Sequence, residues 1–187
     1  MAETSFLADH FLIAMPSLED PNFHRSVTLV CQHDADGAMG IVINRMADYT
    51  LGELLSQLDI STDQAGLADL PIVAGGPVQP DRGCVLHDDT RAWNSTLRFG
   101  RGLAVTTSRD ILAAMARGDG PGNVLVALGY AGWTAGQLEA ELAQNSWLTV
   151  PAEQAILFRT PMEERWQAAA RALGVDLSCM ADYAGHA

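Results

Sequence analysis

The chain has 187 residues, with 11 Arg and no Lys against 23 Asp plus Glu, for a net charge of −12; this length fits one domain spanning residues 1–187. At 48% hydrophobic and 18% charged residues, it is globular rather than disordered. The lack of lysine excludes the usual P-loop nucleotidases, Schiff-base and pyridoxal-phosphate enzymes, Ser-x-x-Lys acyl transferases and ordinary protein kinases, each of which needs one.

Phe11-Leu-Ile-Ala-Met15, ended by Pro16, predicts a first strand, and Asp20-Pro21-Asn22 a turn. In residues 26–33, Val27, Leu29, Cys31 and His33 alternate with Ser26, Thr28 and Gln32, which places the first four on one strand face. Asp34-Ala-Asp-Gly37 then turns the chain into the apolar run 39–44. The two runs predict an antiparallel hairpin whose second strand is apolar on both faces, and so central in its sheet. Three helices open on capping-box patterns, Thr50-Leu-Gly-Glu53, Thr134-Ala-Gly-Gln137 and Thr160-Pro-Met-Glu163. Leu51, Leu54, Leu55 and Leu58 stripe the first of these; Met162, Trp166, Ala169, Ala170 and Leu173 stripe the last, which stops before Gly174. Ser108 caps a fourth, with Ile111, Leu112 and Met115 inward and Gly118 past its end. Further strands are predicted at 72–74, 84–87, 103–106, 124–130 and 155–158, and an exposed loop at 61–70. About seven strands and about four helices without strict βαβ alternation predict an α+β fold, with a mixed, largely antiparallel sheet packed with helices.

Residues 1–10 place acids where a secretory signal needs a basic start and an apolar core. No apolar run reaches the ~20 residues that span a bilayer. Cys31, Cys84 and Cys179 are odd in number and widely spaced, unlike a disulfide framework. The expectation is a soluble cytoplasmic protein with no membrane partner.

Cys31 and His33 at i, i+2 have a workable spacing for two metal ligands, but Cys84 and His87 at i, i+3 point to opposite faces of a regular strand and cannot complete the set. No metal and no cofactor is expected. Cys31 beside a histidine could make an activated thiol, yet no nucleophile elbow accompanies it, and a packed, reduced Cys31 is the simpler reading. Asp34-Ala-Asp36-Gly37 opens like a calcium loop, but its twelfth position is Arg45, so it is a turn. Gly75-Gly76-Pro77 and Gly118-Asp-Gly-Pro-Gly122 lack the spacing of phosphate cradles and are also turns. Charge is unevenly spread: residues 1–81 sum to −10, residues 118–187 to −5, and residues 82–117 to +3 through six arginines. Arg98 and Arg101, near Trp93 and Phe99, could form an anion patch; the alternative is that these arginines pair with acids from the rest of the chain.

Phe11-Leu-Ile-Ala-Met-Pro16, Asp20-Pro-Asn-Phe-His-Arg-Ser-Val27, Cys31-Gln-His33, Gly37-Ala-Met-Gly40 and Asn44-Arg45 resemble the opening of the bacterial AlgH/YqgE family. The likeness continues through Gly75-Gly-Pro-Val78, Arg82-Gly-Cys-Val-Leu-His87, Thr107-Ser-Arg-Asp-Ile-Leu112, Gly129-Tyr-Ala-Gly-Trp133, Gly136-Gln-Leu-Glu-Ala-Glu141 and Asn145-Ser-Trp147, nearly the whole chain in order. Cys84 departs from the family, which usually has an aromatic there. The resemblance implies an α+β fold with a branched, or bifurcated, sheet. It also carries the label of transcriptional regulator, from a member named for alginate synthesis, and no catalytic residues to transfer. No helix-turn-helix accompanies that label: the helix after Ser108 leads into 118–122 and a strand.

Two functions are therefore expected as alternatives. One is a non-enzymatic binding or regulatory module acting through a protein or small ligand, without direct specific DNA binding. The other is a small-molecule enzyme using Arg, His, Asp, Glu or Cys in a cleft. Arg25, Asn44, Arg82, His87, Trp133 and Gln137 are polar or aromatic residues of the family-like runs that core packing does not explain, and are expected to gather as a ligand or partner surface.

Overall fold

Strand β9 (Val124–Thr134) is the axis of the architecture because its two edges serve three partners. The computed structural model describes residues 6–177 and 179. One edge of β9 pairs antiparallel with β6 (Val78–His87). The other edge is divided. Ala127 and Leu128 pair in parallel with β5 (Pro71–Ala74), whereas Ala131 to Thr134 pair antiparallel with β3 (Gly37–Val42). The sheet thus branches at Gly129 and Tyr130, and its main path runs β10-β1-β2-β3-β9-β6-β8-β7. Here β1 is His10–Ala14, β2 Val27–Asp34, β7 Thr96–Phe99, β8 Leu103–Thr106 and β10 Trp147–Pro151. A further strand, β4 (Met46–Thr50), pairs with β5 on the side branch.

The α+β class and the branched sheet are as expected, with ten strands and five α-helices among the described residues. The helices are α1 (Leu51–Gln57), α2 (Arg109–Ala116), α3 (Gln137–Ala143), α4 (Gln154–Phe158) and α5 (Arg165–Ala172). Strands β4, β7 and β10 go beyond the predicted set. Helix α4 replaces the strand predicted at 155–158: a four-residue apolar run carries no period of its own, and burial of its adjacent Ile156 and Leu157 suits a helical turn packed with α5.

Only one of the three capping boxes closes fully. At α1, the Thr50 amide donates to Glu53 Oε2 (2.8 Å) and the Glu53 amide to Thr50 Oγ1 (3.4 Å). At α3, Gln137 Oε1 accepts from the Thr134 amide (3.0 Å), but the helix starts after Gly136, so only the backward half forms. At the third site the Thr160 hydroxyl donates to the Ala155 carbonyl of α4 (3.2 Å), and a 3₁₀ turn (Met162–Glu164) precedes α5. Ser108 stands at the N-cap of α2, yet its hydroxyl donates to Asp110 rather than accepting a backbone amide.

Three apolar clusters fill the spaces around the sheet. The largest joins Phe11, Ile13, Leu29, Ile41 and Leu86 to α4 and α5; a second lies under α1 and α2; the third holds Leu12, Val30, Trp133 and Trp147 against α3. A bulge in β2 decides which side chains reach which cluster. Val30 pairs with Gly40 and Gln32 with Met39, leaving Cys31 as the extra residue. Cys31 stays in the first cluster, while His33 turns to Leu7 and to Glu139 of α3 beside the third. The shared face predicted for Cys31 and His33 is therefore broken, and with it their spacing as a ligand pair. Among the described residues, no group of three or more His, Cys, Asp or Glu converges as metal ligands.

At the branch, backbone lies against backbone. A methyl at Gly129 (φ +76°) would overlap the Gly76 carbonyl oxygen, and one at Gly76 would overlap the Tyr130 carbonyl. Gly66 has the same positive φ (+77°) with nothing near it. Gly66→Ala should therefore cost about 1–2 kcal/mol, the conformational penalty alone. Gly129→Ala should cost roughly 2–5 kcal/mol because overlap is added. Denaturant unfolding of the two variants checks this, and equal losses would contradict the branch as described.

Candidate functional site

The six shortlisted residues fall into separate surroundings. Arg25 and Asn44 meet: Asn44 Nδ2 donates to the Arg25 carbonyl and Asn44 Oδ1 accepts the Val27 amide, both at 2.8 Å. The Arg25 guanidinium lies 4.5 Å from the centre of the Trp166 ring. With Arg45 donating to the Pro21 and His24 carbonyls (2.6 and 2.8 Å), these contacts tie the turn after β1 to the end of β3. Trp133 and Gln137 also meet, through Glu141. Its Oε2 accepts the indole N–H of Trp133 (2.9 Å) and of Trp147 (2.8 Å), and its Oε1 accepts from Gln137 Nε2 (3.1 Å). Trp133 is buried, so this node fastens α3 onto the sheet.

His87 is fully buried and does not reach the surface. Its Nδ1 accepts the Asp89 amide (3.2 Å), which leaves the proton on Nε2 for Thr106 Oγ1 (2.8 Å); that hydroxyl in turn bonds Thr96 Oγ1 (2.8 Å). The imidazole thus ties the end of β6 to β8 and β7. The arginine patch is also engaged. Arg98 donates to the carbonyls of Asp89, Thr90 and Arg91, and Arg101 faces the Asp9 carboxylate through its amide (3.0 Å) and Nε (3.6 Å). Arg91 pairs with Asp89 (2.6 Å). Arg98 is thus held by carbonyls, and Arg101 and Arg91 by acids.

Arg82 stands apart. Between Val78, paired with Tyr130, and Gly83, paired with Leu128, β6 carries a second and larger bulge in which Gln79 adopts φ +45°. The bulge puts Arg82 at the surface, where its guanidinium meets only Gln79 Oε1 (3.2 Å) and no carboxylate among the described residues. Two cavities adjoin it, one of about 240 Å³ towards Met39, Ile41, Val105 and Tyr130, the other of about 180 Å³ towards Leu54, Leu58 and Leu112. Arg82, Gly83, Cys84 and Thr107 line both. A larger concavity of about 470 Å³ runs along α5 to Val175, Asp176 and Leu177, where the continuous described chain ends, so the described residues do not define its full outline.

The bulge cavity is the candidate site. Sequence reasoning reached Arg82 but missed Gln79, Thr107, Tyr130 and Met39. These come from four strands and loops far apart in the chain, and only the register of β6 against β9 assembles them. Burial pushes the Cys84 thiol up to about 12, against the opposing pull of Arg82, and burial holds Cys31 well above its ordinary value. Neither is a thiolate at neutral pH.

The AlgH-like family model matches residues 11–178. The chain belongs to the AlgH-like family. It is 60% identical to a UPF0301 protein of Xanthomonas campestris pv. campestris (strain B100) over 181 residues, covering 97% of this chain and 96% of that one. It is 59% identical to a UPF0301 protein of Stenotrophomonas maltophilia (strain K279a) over 180 residues, 96% of each. The solution structure of the AlgH protein from Pseudomonas aeruginosa superposes with a TM-score of 0.81 at 52% identity, covering 100% of this chain and 99% of that one. A Corynebacterium diphtheriae crystal structure shares the fold at 18% identity, with a TM-score of 0.75 and coverage of 97% and 94%. Family membership agrees with the fold expected from the resemblance. No helix among the described residues is long and apolar enough to cross a membrane.

Two outcomes follow from the buried titratable groups. In the native protein a thiol reagent should react rapidly with Cys179, which is exposed, with Cys31, which is buried, only as fast as the chain opens, and at an intermediate rate with Cys84, half-buried on the cavity wall with a raised pKa. Rapid modification of Cys31 before unfolding would contradict its burial. Burial also pulls the His87 pKa below its ordinary value, with Asp89 opposing. The unfolded chain binds this proton near pH 6.5 and the folded chain only at lower pH. The contribution of neutral His87 to stability is therefore complete above about pH 6.5 and shrinks as pH falls below it. Melting curves between pH 7.5 and 5 should fall less steeply for His87→Gln than for the parent.

Proposed function

We propose that this chain is a non-enzymatic cytoplasmic binding module whose ligand occupies the cavity beside the β6 bulge. The observation that carries this reading is the exposed guanidinium of Arg82, paired with no carboxylate among the described residues, at the mouth of an apolar cavity. The chemistry of the lining supports binding over catalysis. No Asp, Glu or His lines the 240 Å³ cavity, and its one thiol is protonated at neutral pH. A general acid–base pair needs groups poised near the working pH. The displaced carboxylates, Asp34, Asp89, Asp110 and Glu139, are all displaced downward, away from that range. A small-fragment screen followed by amide NMR should perturb Gly83, Cys84, Val105 and Tyr130 together; hits that cluster elsewhere would overturn the assignment of the site.

Any regulatory role, on this reading, runs through a partner protein or the bound ligand. Useful DNA affinity takes roughly six to ten phosphate contacts. The basic segment has six arginines, of which Arg91, Arg98 and Arg101 are already engaged, within a chain of net charge −12. Fluorescence anisotropy with promoter DNA at about 0.15 M ionic strength should show no binding that survives scrambled competitor. Tight, competitor-resistant binding would refute the indirect role.

A further inference from the structure

The bulge cavity has a floor and a rim of different chemistry. Ile41 (0% exposed) and Val105 (4%) form the floor, Met39 and Tyr130 the flanks, and the exposed Arg82 and Gln79 the rim. A charged end therefore belongs at the mouth and a hydrocarbon body inside. We propose that the ligand is a small monocarboxylic acid with an unbranched or aromatic hydrocarbon body, its carboxylate on Arg82 and its body against Ile41 and Val105. This rests on the bulge cavity being the ligand site.

Three observations narrow the class. Among the described residues the lining of this cavity holds a single guanidinium and no acid, Asp81 lying on the neighbouring cavity, which matches one negative charge. A planar guanidinium presents paired donors at the spacing of a carboxylate. Arg109 lines the neighbouring cavity, not this one, and donates to the Leu58 carbonyl, so a phosphate monoester would lack a second counter-charge here. Size sets the rest. A cavity of about 150 Å³ holds benzene, so 240 Å³ holds on the order of ten heavy atoms. Octanoate and phenylacetate have about that many.

The inference is tested on the full chain by calorimetry and amide NMR with octanoate, phenylacetate and octanamide, the last matching octanoate in shape without its charge. Octanoate and phenylacetate should shift Gly83, Cys84, Val105 and Tyr130, and octanoate should bind on the order of ten- to a hundredfold tighter than octanamide, the range of a charge-assisted pair. Arg82 is exposed in a bulge, so its replacement leaves the core intact. Arg82→Gln should lower octanoate affinity to that of octanamide and leave octanamide unchanged, with Arg82→Lys between. Equal affinities for octanoate and octanamide, with shifts still on the four cavity residues, would overturn the carboxylate class while the cavity stands. No shift there with any of the three probes would overturn the cavity reading itself. An acetylated dipeptide with a free C-terminal carboxylate should bind no better than octanoate; binding tenfold tighter would make the occupant a protein C-terminus and overturn the small acid.

Discussion

Backbone contact at the branch of the sheet sets the positions of everything else. Gly75, Gly76 and Gly129 let β5 and the chain that leaves it pass so near β9 that a methyl on any of them would strike a carbonyl. Because of this approach β9 can change partners along one edge, from β5 to β3, without losing its pairing with β6 on the other. The Val42 amide donates to the Gly75 carbonyl and the Gly75 amide to the Leu128 carbonyl, both at 2.8 Å, so the two branches are stitched through one glycine. The larger bulge of β6 lies opposite this junction. Four residues of β6, Gln79 to Arg82, fall between partners only two positions apart on β9. The cavity is the space this mismatch leaves, and Arg82 stands at its edge for the same reason.

How far such a site can be read in advance depends on what kind of physics places it. The hairpin of β2 and β3 and the long β9 were legible because their apolar residues are dense and bounded by turn residues. Strand β4 was not, since Met46 and Tyr49 are largely exposed and only its pairing with β5 makes it a strand. Helix α4 was misread because four apolar residues fit a buried strand as well as a helical turn. Neither bulge is legible in the sequence, for a deeper reason. A bulge is a property of two strands in register, and no periodicity within one strand reveals it. The bulge in β2 separates Cys31 from His33, and that in β6 exposes Arg82; local spacing alone misjudged the first and left the second unexplained.

Several residues of the family-like runs serve the fold. Glu141 binds two indoles and an amide with one carboxylate, His87 links three strands through a line of hydroxyls, and Asn44 closes both polar groups of the 25–27 backbone. Each satisfies buried or half-buried polar groups that would be costly unpaired. Their presence beside apolar strands therefore follows from hydrogen-bond satisfaction and needs no ligand.

The arginines sharpen the contrast. In a chain without lysine, guanidinium forks act as carbonyl clamps: Arg45 on Pro21 and His24, Arg98 on three consecutive carbonyls, Arg109 on Leu58, Arg165 on Ile43 and Thr160. These uses hold loops to helices and strands, with Asp20 near Arg45 and Glu163 near Arg165. Arg82 lines an apolar cavity, and among the described residues its fork meets neither a carbonyl nor an acid but the side chain of Gln79, itself in a left-handed conformation. Positive φ also occurs at Asp9, Arg25, Asp59 and Asn145, so the backbone of Gln79 is one of several tight turns of this chain. What separates Arg82 from the structural arginines is where its fork lies, at the mouth of an apolar cavity rather than on backbone carbonyls, and the proposed ligand site rests on that placement.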